Sequence, residues 1–267
     1  MQQYRDRVVI VTGASEGIGR ALALTLAAQG AKLVLAARNA ARLDDLVDRC
    51  RAYGADACAV PTDVSDEDAC RRLVETAVAR YGRVDALVND AGRTMWGALR
   101  RTRLARHIRG LMRVNFLGAV YCTRYALPFL RETRGQIIAI ASVAGTTGVP
   151  ERTAYAASKH AMIGFFDSLR IELAGTGVDV TVVAPDFVVS EIHRRAIGPD
   201  GAPLGVTPMQ EARIMRAEDC AQIILRAMQR RERLVFTTLR AKAGRWMKLI
   251  APALVDRMAA DAIAKRR

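Results

Sequence analysis

The sequence predicts an α/β fold with one doubly wound parallel sheet of about seven strands flanked by helices. Short apolar runs rich in β-branched residues alternate with segments whose apolar residues recur at helical spacing. Regular alternation implies right-handed crossovers between parallel strands. The 267 residues, 51% of them hydrophobic, suffice for a sizeable core, and no linker or repeat divides the chain. We therefore expect a single large domain.

Each element follows from its local pattern. The predicted strands span 7–12, 32–37, 56–60, 84–88, 135–141, 178–184 and 233–237. The predicted helices span 18–29, 40–53, 66–81 and 217–230, with a long one after about 103 and another around 155–159. Residues 186–216 are rich in Gly and Pro, which is typical of a connection that closes over a ligand. Ligands of such sheets bind beyond the carboxyl ends of the strands.

Composition limits the function and the compartment. The five cysteines are scattered without CxxC spacing, which favours reduced thiols in the cytoplasm. We expect no metal site from three dispersed histidines, no secretory signal and no membrane-spanning helix. The net charge of +14 favours anionic partners, although no motif indicates nucleic-acid binding.

Much of the basic excess is local. Residues 91–131 contain no acid. The arginines of this cluster that we single out are Arg93, Arg100, Arg101, Arg103, Arg106, Arg109 and Arg113. The cluster is either a solvated helix face or a dedicated site for anions.

A glycine-rich turn separates the first predicted strand from the first helix, in the sequence Thr12-Gly-Ala-Ser-Glu-Gly-Ile-Gly19. Glycines permit a close backbone approach, and the helix that follows offers N–H groups and a positive dipole end to a phosphate. A tight loop is the alternative. The placement between strand and helix favours a dinucleotide site.

The end of the second predicted strand indicates which dinucleotide binds. An acid there would accept a hydrogen bond from a ribose 2′-hydroxyl and repel a 2′-phosphate. This chain has Ala37 followed by Arg38. Because a guanidinium grips phosphate through two hydrogen bonds, we expect NADP (NADPH) rather than NAD. The alternative is that Arg38 only faces water. The negative charge of Glu16, inside the glycine-rich turn, also disfavours a phosphate there.

The candidate acid or base lies in Tyr155-Ala-Ala-Ser-Lys159. Residues four apart share a helix face, so the phenol and the ammonium point into the same space. A fixed cation favours the phenolate and brings the phenol closer to proton exchange near neutral pH. Tyr155 is thus a candidate general acid or base.

These motifs, together with Asp63, Asn89-Asp-Ala-Gly92, Asn115 and Ser142, closely resemble the short-chain dehydrogenase/reductase family over roughly residues 6–190. The resemblance implies a Rossmann-type domain and a catalytic tetrad of Asn115, Ser142, Tyr155 and Lys159. It implies that Tyr155 exchanges a proton with the substrate oxygen and that Ser142 hydrogen-bonds that oxygen. Lys159 would assist Tyr155 and bond the nicotinamide ribose, and Asn115 would hold a water.

The resemblance also implies the residues around the cofactor. They are Gly13, Ser15, Gly17, Ile18, Gly19, Arg38, Asp63, Val64, Asn89, Ala91, Gly92, Tyr155, Lys159, Pro185, Val188 and Ser190. The chain departs from the family pattern at Asp90, commonly Asn, at Asp186, commonly Gly, and at Ser190, usually Thr. A buried carboxylate at Asp90 would need donors or a raised pKa. Asp186 is expected to reduce backbone freedom beside the nicotinamide.

The substrate region is apolar in sequence. We expect Met95, Trp96, Leu99, Val143, Val149, Phe187 and Ile192 to line a pocket for a steroid-, retinoid- or fatty-acyl-like ketone, aldehyde or alcohol. Two alternatives remain open. One is a 3-oxoacyl carrier-protein reductase whose arginine cluster docks the acidic carrier, and the other is an NADP-binding scaffold without turnover.

Residues 240–267 form a basic amphipathic extension beyond an oxidoreductase domain of residues 1–239. Trp246, Ile250, Leu254 and Met258 recur at a spacing of four, and Pro252 divides the segment into two short helices. The extension would lie on a membrane surface, pack on its own domain or pair subunits. The resemblance implies a homodimer or homotetramer.

Overall fold

The computed structural model describes residues 3–99 and 104–264. Their centre is a sheet of seven parallel strands in the order β3-β2-β1-β4-β5-β6-β7. The strands are β1 (Val8–Thr12), β2 (Lys32–Ala37), β3 (Ala57–Pro61), β4 (Ala86–Asn89), β5 (Gln136–Ile140), β6 (Asp179–Ala184) and β7 (Leu234–Phe236). The predicted fold class is confirmed.

Helices fill the connections between the strands, and two more helices follow β7. They are α1 (Gly17–Ala27), α2 (Ala40–Ala52), α3 (Glu67–Tyr81), α4 (Leu104–Leu111), α5 (Gly118–Thr133), α6 (Thr153–Glu172), α7 (Ala217–Arg230), α8 (Leu239–Ile250) and α9 (Pro252–Ala264). A π-helical segment, Met112–Leu117, joins α4 to α5. The chain thus passes from strand to helix at each crossover, as the alternation predicts.

The strands are buried on both faces because helices cover each side. Val9 and Val11 of β1 face the layer of α1, α2 and α7, while Ile10 faces the layer of α3, α5 and α6. This alternation is the period of two expected of a strand, and burial on both faces explains why β1 is continuously apolar. The helix layers cover the two faces of the sheet. The edge at which the strands end is left open.

A side-chain cap sets the start of α3. The carboxylate of Asp66 accepts from the backbone N–H groups of Asp68 and Ala69 at the start of α3. Asp63 instead accepts from the backbone N–H and the hydroxyl of Ser65. Asp66, and not Asp63, is therefore the residue that caps α3.

The order β3-β2-β1-β4 reverses direction between β1 and β4, so the crossovers on the two sides leave by opposite faces. The register aligns Thr12 with Asn89, the last residues of the two strands. A crevice opens at this topological switch point, which is where doubly wound sheets bind nucleotides.

The described part of the chain contains no helix that is both long and apolar enough to span a bilayer. The two C-terminal helices meet at Ala251 and Pro252, so the predicted division at Pro252 is confirmed. A proline is tolerated in the first turn of a helix, because the N–H group that it lacks would have no helical partner there.

Candidate active site

A cavity of about 510 Å³ lies at the carboxyl edge of the sheet. Most of the residues predicted to bind the cofactor line it: Gly13, Ser15, Gly17, Ile18, Arg38, Asp63, Val64, Ala91, Gly92, Tyr155, Lys159, Pro185, Val188 and Ser190. Gly19 and Asn89 are buried and lie behind the cavity wall. Its volume is typical of a ligand pocket.

The glycine-rich turn needs its glycines for close packing against the end of β4. Gly13 has φ of +70°, and a Cβ there would meet the backbone nitrogen of Ala91 at 2.8 Å. A Cβ at Gly19 would lie 2.6 Å from the carbonyl oxygen of Gly13. No side chain caps the N-terminus of α1, so the turn and helix offer the backbone cradle that a pyrophosphate requires.

The hydroxyl of Thr12 joins the turn to β4. It donates to the carbonyl oxygen of Val88 (3.1 Å) and accepts from the backbone N–H groups of Asp90 (3.1 Å) and Ala91 (3.2 Å). Asn89 points away from the cavity and donates to the hydroxyl of Thr123 (3.0 Å). The role of Asn89 in this structure is therefore to hold β4 against α5.

Asp90, one of the departures from the family pattern, is partly buried beneath the glycine-rich turn and lines the cavity. Burial raises its pKa to about 7, and the charge of Glu16 adds to the rise. The positive charge of Lys159 and a hydrogen bond from the backbone N–H of Gly19 act in the opposite direction. Only in its protonated form does the Asp90 carboxyl group have an amide-like donor and acceptor, as the Asn common in the family has.

Two arginines neutralise the negative charge that Glu16 places in the glycine-rich turn. Its carboxylate pairs with Arg42 of α2 (2.8 Å) and with Arg195 of the connection after β6 (2.7 Å). These two cations offset the charge that the sequence suggested would disfavour phosphate. The pair with Arg195 also joins that connection to the glycine-rich turn.

Cationic side chains surround the end of the cavity that Asp63 lines. Arg38 and Arg93 both line it, and burial followed by the charge of Arg38 lowers the pKa of Arg93. Although burial alone would raise the pKa of Asp63, its hydrogen bonds to Ser65 and the charges of Arg38 and Arg113 hold that pKa below its ordinary value. Arg93 was missed as a cofactor candidate because its proximity to Arg38 arises only from the pairing of β1 with β2 and β4.

Tyr155, Lys159 and Ser142 line the other end of the same cavity. The ammonium of Lys159 donates to the carbonyl oxygen of Ile140, the last residue of β5 (2.7 Å). Burial lowers the pKa of Lys159, while Tyr155 and Asp90 oppose the shift. A buried cation with a lowered pKa, adjacent to a phenol, suits proton exchange.

Ser142 follows β5 and begins a short 3-10 turn, where its hydroxyl accepts from the backbone N–H of Ala144 (3.2 Å). The N–H of Val143 donates to the carbonyl oxygen of Pro185 (2.9 Å), which ties this turn to the end of β6. Ser142 and Pro185 are thereby held on neighbouring strand ends.

Asn115 lies in the π-helical segment and is completely buried. Its carboxamide exchanges two hydrogen bonds with the backbone of Arg93 (2.7 and 2.9 Å) and donates to the hydroxyl of Ser158 (2.9 Å). Ser158 in turn donates to the carbonyl oxygen of Tyr155 (2.7 Å). Asn115 therefore supports the first turn of α6 from behind the cavity wall, and π segments recur at such functional positions.

Arg152 is a cavity residue that sequence reasoning missed. Its guanidinium carbon lies 4.2 Å from the ring centroid of Tyr155 and 4.9 Å from that of Trp96. Cations stack favourably on aromatic faces at these distances. Its position three residues before Tyr155 was the available signal, but an arginine ahead of a helix ordinarily points to solvent.

The substrate end is only partly as predicted. Val143, Val149, Phe187 and Ile192 line the cavity, whereas Met95 and Trp96 are buried in core clusters and Leu99 is exposed. The remaining apolar wall comes from the C-terminal helices. The residues concerned are Ala243, Gly244, Met247, Val255, Met258 and Ala259.

The doubly wound sheet and its switch-point cavity define the class of protein, a Rossmann-type domain with a crevice where such sheets bind nucleotides. The family described as short chain dehydrogenase matches residues 7–198. A crystal structure of a short-chain dehydrogenase/reductase from Burkholderia phymatum in complex with NAD has a TM-score of 0.83 and 28% identity, covering 95% of this chain and 96% of that one.

Curated relatives match nearly the whole chain. The 11-beta-hydroxysteroid dehydrogenase A of Sesamum indicum is 36% identical over 96% of this chain and 75% of its own length. The 11-beta-hydroxysteroid dehydrogenase-like 4A of Arabidopsis thaliana is 38% identical over 95% and 84%. Dehydrogenase/reductase SDR family member 7B of Bos taurus is 34% identical over 100% and 85%. The chain belongs to the short-chain dehydrogenase/reductase family and is an oxidoreductase.

Burial of Asp90 predicts a pH-dependent stability. Because the pKa in the folded protein, about 7, exceeds its ordinary value of 3.8, the stabilisation is complete below about pH 4 and is lost as the pH rises through 7. The loss attributable to this group is at most about 4 kcal/mol. We expect Asp90→Asn, which cannot ionise, to flatten the fall in Tm between about pH 4 and pH 7. Asp44→Asn, an exposed acid on α2, is the control. Parallel profiles for the wild type and Asp90→Asn would contradict the assignment.

Proposed function

We propose that this protein is an NADP(H)-dependent oxidoreductase that interconverts a ketone or aldehyde with an alcohol, using Tyr155 as the proton donor or acceptor. The observation that carries the proposal is that one cavity contains the glycine-rich turn at one end and Ser142, Tyr155 and Lys159 at the other. That arrangement supports binding of an extended dinucleotide with its nicotinamide end beside the phenol. The roles of the sixteen cofactor residues named above belong to the same proposal.

The chemistry assigned to the chain is proton transfer and positioning. Bound NADPH would supply the hydride. Tyr155 donates a proton to the carbonyl oxygen, or removes one from the alcohol in reverse, and the hydroxyl of Ser142 hydrogen-bonds the same oxygen and orients it. The cation of Lys159 favours the phenolate that remains after transfer.

Asn115 positions this group of residues. Its hydrogen bond to Ser158, which bonds the backbone of Tyr155, fixes the start of α6 relative to Arg93. The water that the family places beside Asn115 remains part of the proposal. It would connect Lys159 to solvent and replace the proton that Tyr155 gives up.

The preference for NADP rests on the adenosine end of the cavity. Arg38 is exposed at the mouth and Arg93 lies near it, so a 2′-phosphate would meet two positive charges. The charge of Glu16 is taken up by Arg42 and Arg195. Both observations favour NADP over NAD.

An apolar substrate fits the other end best. The wall beyond Tyr155 combines Val149, Phe187 and Ile192 with apolar side chains of the two C-terminal helices. The relatives from Sesamum and Arabidopsis are named as hydroxysteroid dehydrogenases, which supports a steroid-like ketone or alcohol. The carrier-protein alternative has less support, because Arg100, Arg101, Arg103 and the side chain of Arg106 lie outside the described residues.

Three further proposals, on domain division, assembly and location, accompany the function. We retain the division into an oxidoreductase domain of residues 1–239, with a lid near 186–216, and an extension of residues 240–267. Members of the family commonly form oligomers, and we propose a homodimer or homotetramer through α5 and α6, where the side chain of Ile171 is 73% exposed. A cytoplasmic location is likewise proposed.

We also propose that the outer face of the C-terminal helices contacts an anionic membrane surface. Trp246 and Ile250 are 62% and 85% exposed, and Leu249 and Leu254 extend the same apolar surface. Lys242 and Arg245 are exposed and supply positive charge on α8, whereas Arg240 and Lys248 pair with Asp186 and Asp256. Partly exposed apolar groups flanked by cations are typical of helices that lie in a membrane interface.

Tyr155→Phe removes the proton donor while keeping the ring. We expect turnover of a steroid ketone with NADPH to fall by about 10²- to 10⁴-fold, since that is the usual contribution of a general acid. NADPH binding, followed by fluorescence, should change little. Tyr53→Phe, at an exposed tyrosine after α2, is the control. Undiminished turnover by Tyr155→Phe would refute the assigned acid.

Arg38→Ala tests the cofactor preference. Loss of a charge-assisted contact worth about 1.5–3 kcal/mol should weaken NADPH binding by about 10- to 100-fold and NADH binding far less. Titrations of both dinucleotides with the wild type, Arg38→Ala and Arg49→Ala measure this, because Arg49 is an exposed arginine of α2 outside the cavity. A wild type that binds NADH more tightly than NADPH would overturn the role of Arg38.

Ile250→Glu in the full-length chain tests membrane contact. We expect the wild type to float with vesicles containing phosphatidylserine at low salt, and Ile250→Glu to lose most of this binding because a charge enters the apolar face. Sedimentation of both proteins without vesicles reports whether the same face pairs subunits. A dimer that dissociates on substitution, without any vesicle binding by the wild type, would replace the membrane proposal with a subunit interface.

A further inference from the structure

The two C-terminal helices form a wall of the active-site cavity. Gly244 and Met247 of α8 and Val255 and Met258 of α9 face the same space as Tyr155. Their positions therefore affect which molecules fit beside the phenol. This wall lies outside the part of the chain, residues 7–198, that the family match covers.

The wall is held by few buried contacts. Of the side chains described from Leu239 onward, only that of Ala241 is buried. The α8 helix packs on α9 and β7, and the ammonium of Lys248 pairs with the carboxylate of Asp256 to join the two helices. Because little apolar area fixes this hairpin to the domain, its placement depends strongly on the contacts at its base.

Asp186 makes the polar contacts at that base. One carboxylate oxygen, Oδ2, accepts from the guanidinium of Arg240 (2.7 Å) and from the hydroxyl of Thr238 (3.3 Å). Its backbone N–H donates to the hydroxyl of Thr237 (3.1 Å), and Oδ1 accepts from the N–H of Phe187 (3.0 Å). The residue after β6 is thus tied directly to the start of α8.

The backbone explains why a glycine is not needed at this position. Asp186 does not have a positive φ, so a side chain is accommodated there without left-handed strain. Thr238 meanwhile caps α8, its hydroxyl accepting from the N–H of Ala241 (3.2 Å). The departure from the family pattern therefore adds an anchoring side chain beside the expected nicotinamide position, next to Pro185.

We propose that Asp186 is a positioning residue that anchors the α8–α9 hairpin over the substrate end of the cavity, and that this hairpin selects large apolar substrates. The inference rests on the proposed function and deepens it. A steroid-sized substrate reaches the hairpin wall and gains from its contacts, whereas a small ketone is bound by the residues around Tyr155 alone. Displacing the hairpin therefore weakens binding of the steroid-sized substrate and leaves binding of the small ketone unchanged.

An ordinary surface ion pair would not have these consequences. Exposed pairs usually contribute little because water screens them and both side chains lose entropy. Arg240 is 75% exposed, but the side chain of Asp186 is only 12% exposed and has several donors besides Arg240. Most of the anchoring thus comes from a carboxylate held within the protein, and Asp186→Asn removes its charge at nearly constant shape.

The test compares Asp186→Asn, Arg240→Gln and the double variant with Lys242→Gln in the full-length protein. Lys242 is an exposed cation of α8 outside the cavity, so its substitution matches the charge change of Arg240→Gln. We expect KM for a steroid ketone to rise by about tenfold in each anchor variant, as for loss of a charge-assisted hydrogen bond. KM for cyclohexanone and the Kd for NADPH should stay within about twofold, and the double variant should resemble the single ones because both lose the same contact.

Hydrogen exchange supplies a readout that does not depend on turnover. Backbone amides of 239–264 should exchange faster in the two anchor variants than in the wild type and Lys242→Gln, with the amides of β4 and β5 unchanged. Equal exchange in all proteins, or a parallel loss of activity on both ketones, would overturn the proposal. If the wild type reduces neither ketone, the proposed function fails, and the exchange data alone decide whether Asp186 anchors the hairpin.

Discussion

The close contact between the glycine-rich turn and the end of β4 is the constraint on which the rest of the active site depends. Gly13 packs on Ala91 so tightly that a Cβ has no room, and the hydroxyl of Thr12 bonds three backbone groups of the neighbouring strand end. Because β1 and β4 flank the switch point of the sheet, this contact fixes the floor of the crevice. Asp90 completes the floor from below by accepting from the N–H of Gly19.

The proposed catalytic end depends on the same edge of the sheet. The ammonium of Lys159 is bound to the last carbonyl group of β5, and the turn after Ser142 is bound to Pro185 at the end of β6. Asn115 holds the start of α6 from the opposite side through Ser158. Strand ends thus orient the side chains, and helix α6 carries the proposed proton donor, Tyr155. Asp90 lies between the two ends, since its charge acts on Lys159.

The sequence predicts most of the architecture because its signals are local. Apolar periodicity locates all seven strands, and α7 spans the residues expected of it, Ala217–Arg230. Six of the seven predicted strands begin one or two residues early, because propensity does not sense where ladder pairing begins. The motifs around Gly13 and Tyr155 are equally local, and both line one cavity.

What the sequence leaves open depends on contacts between distant residues. Met95 and Trp96 look like pocket residues by composition, yet the path of residues 90–99 places them in the core. Arg152 stacks on Tyr155 only because its segment turns inward before α6. The bond between Asp186 and Arg240 joins positions 54 apart in the chain and follows from the order of β6 and β7 in the sheet. Such contacts between distant residues can be predicted only after the topology of the sheet is known.

The central claim is that one cavity holds the dinucleotide and brings its nicotinamide to Tyr155. A crystal structure of the full chain with NADPH tests it most directly. The account predicts the pyrophosphate at the turn between Gly13 and Gly19, the 2′-phosphate beside Arg38, and the nicotinamide between Tyr155 and Pro185, beneath the C-terminal hairpin. A dinucleotide bound outside this cavity, or one whose nicotinamide points away from Tyr155, would contradict the account.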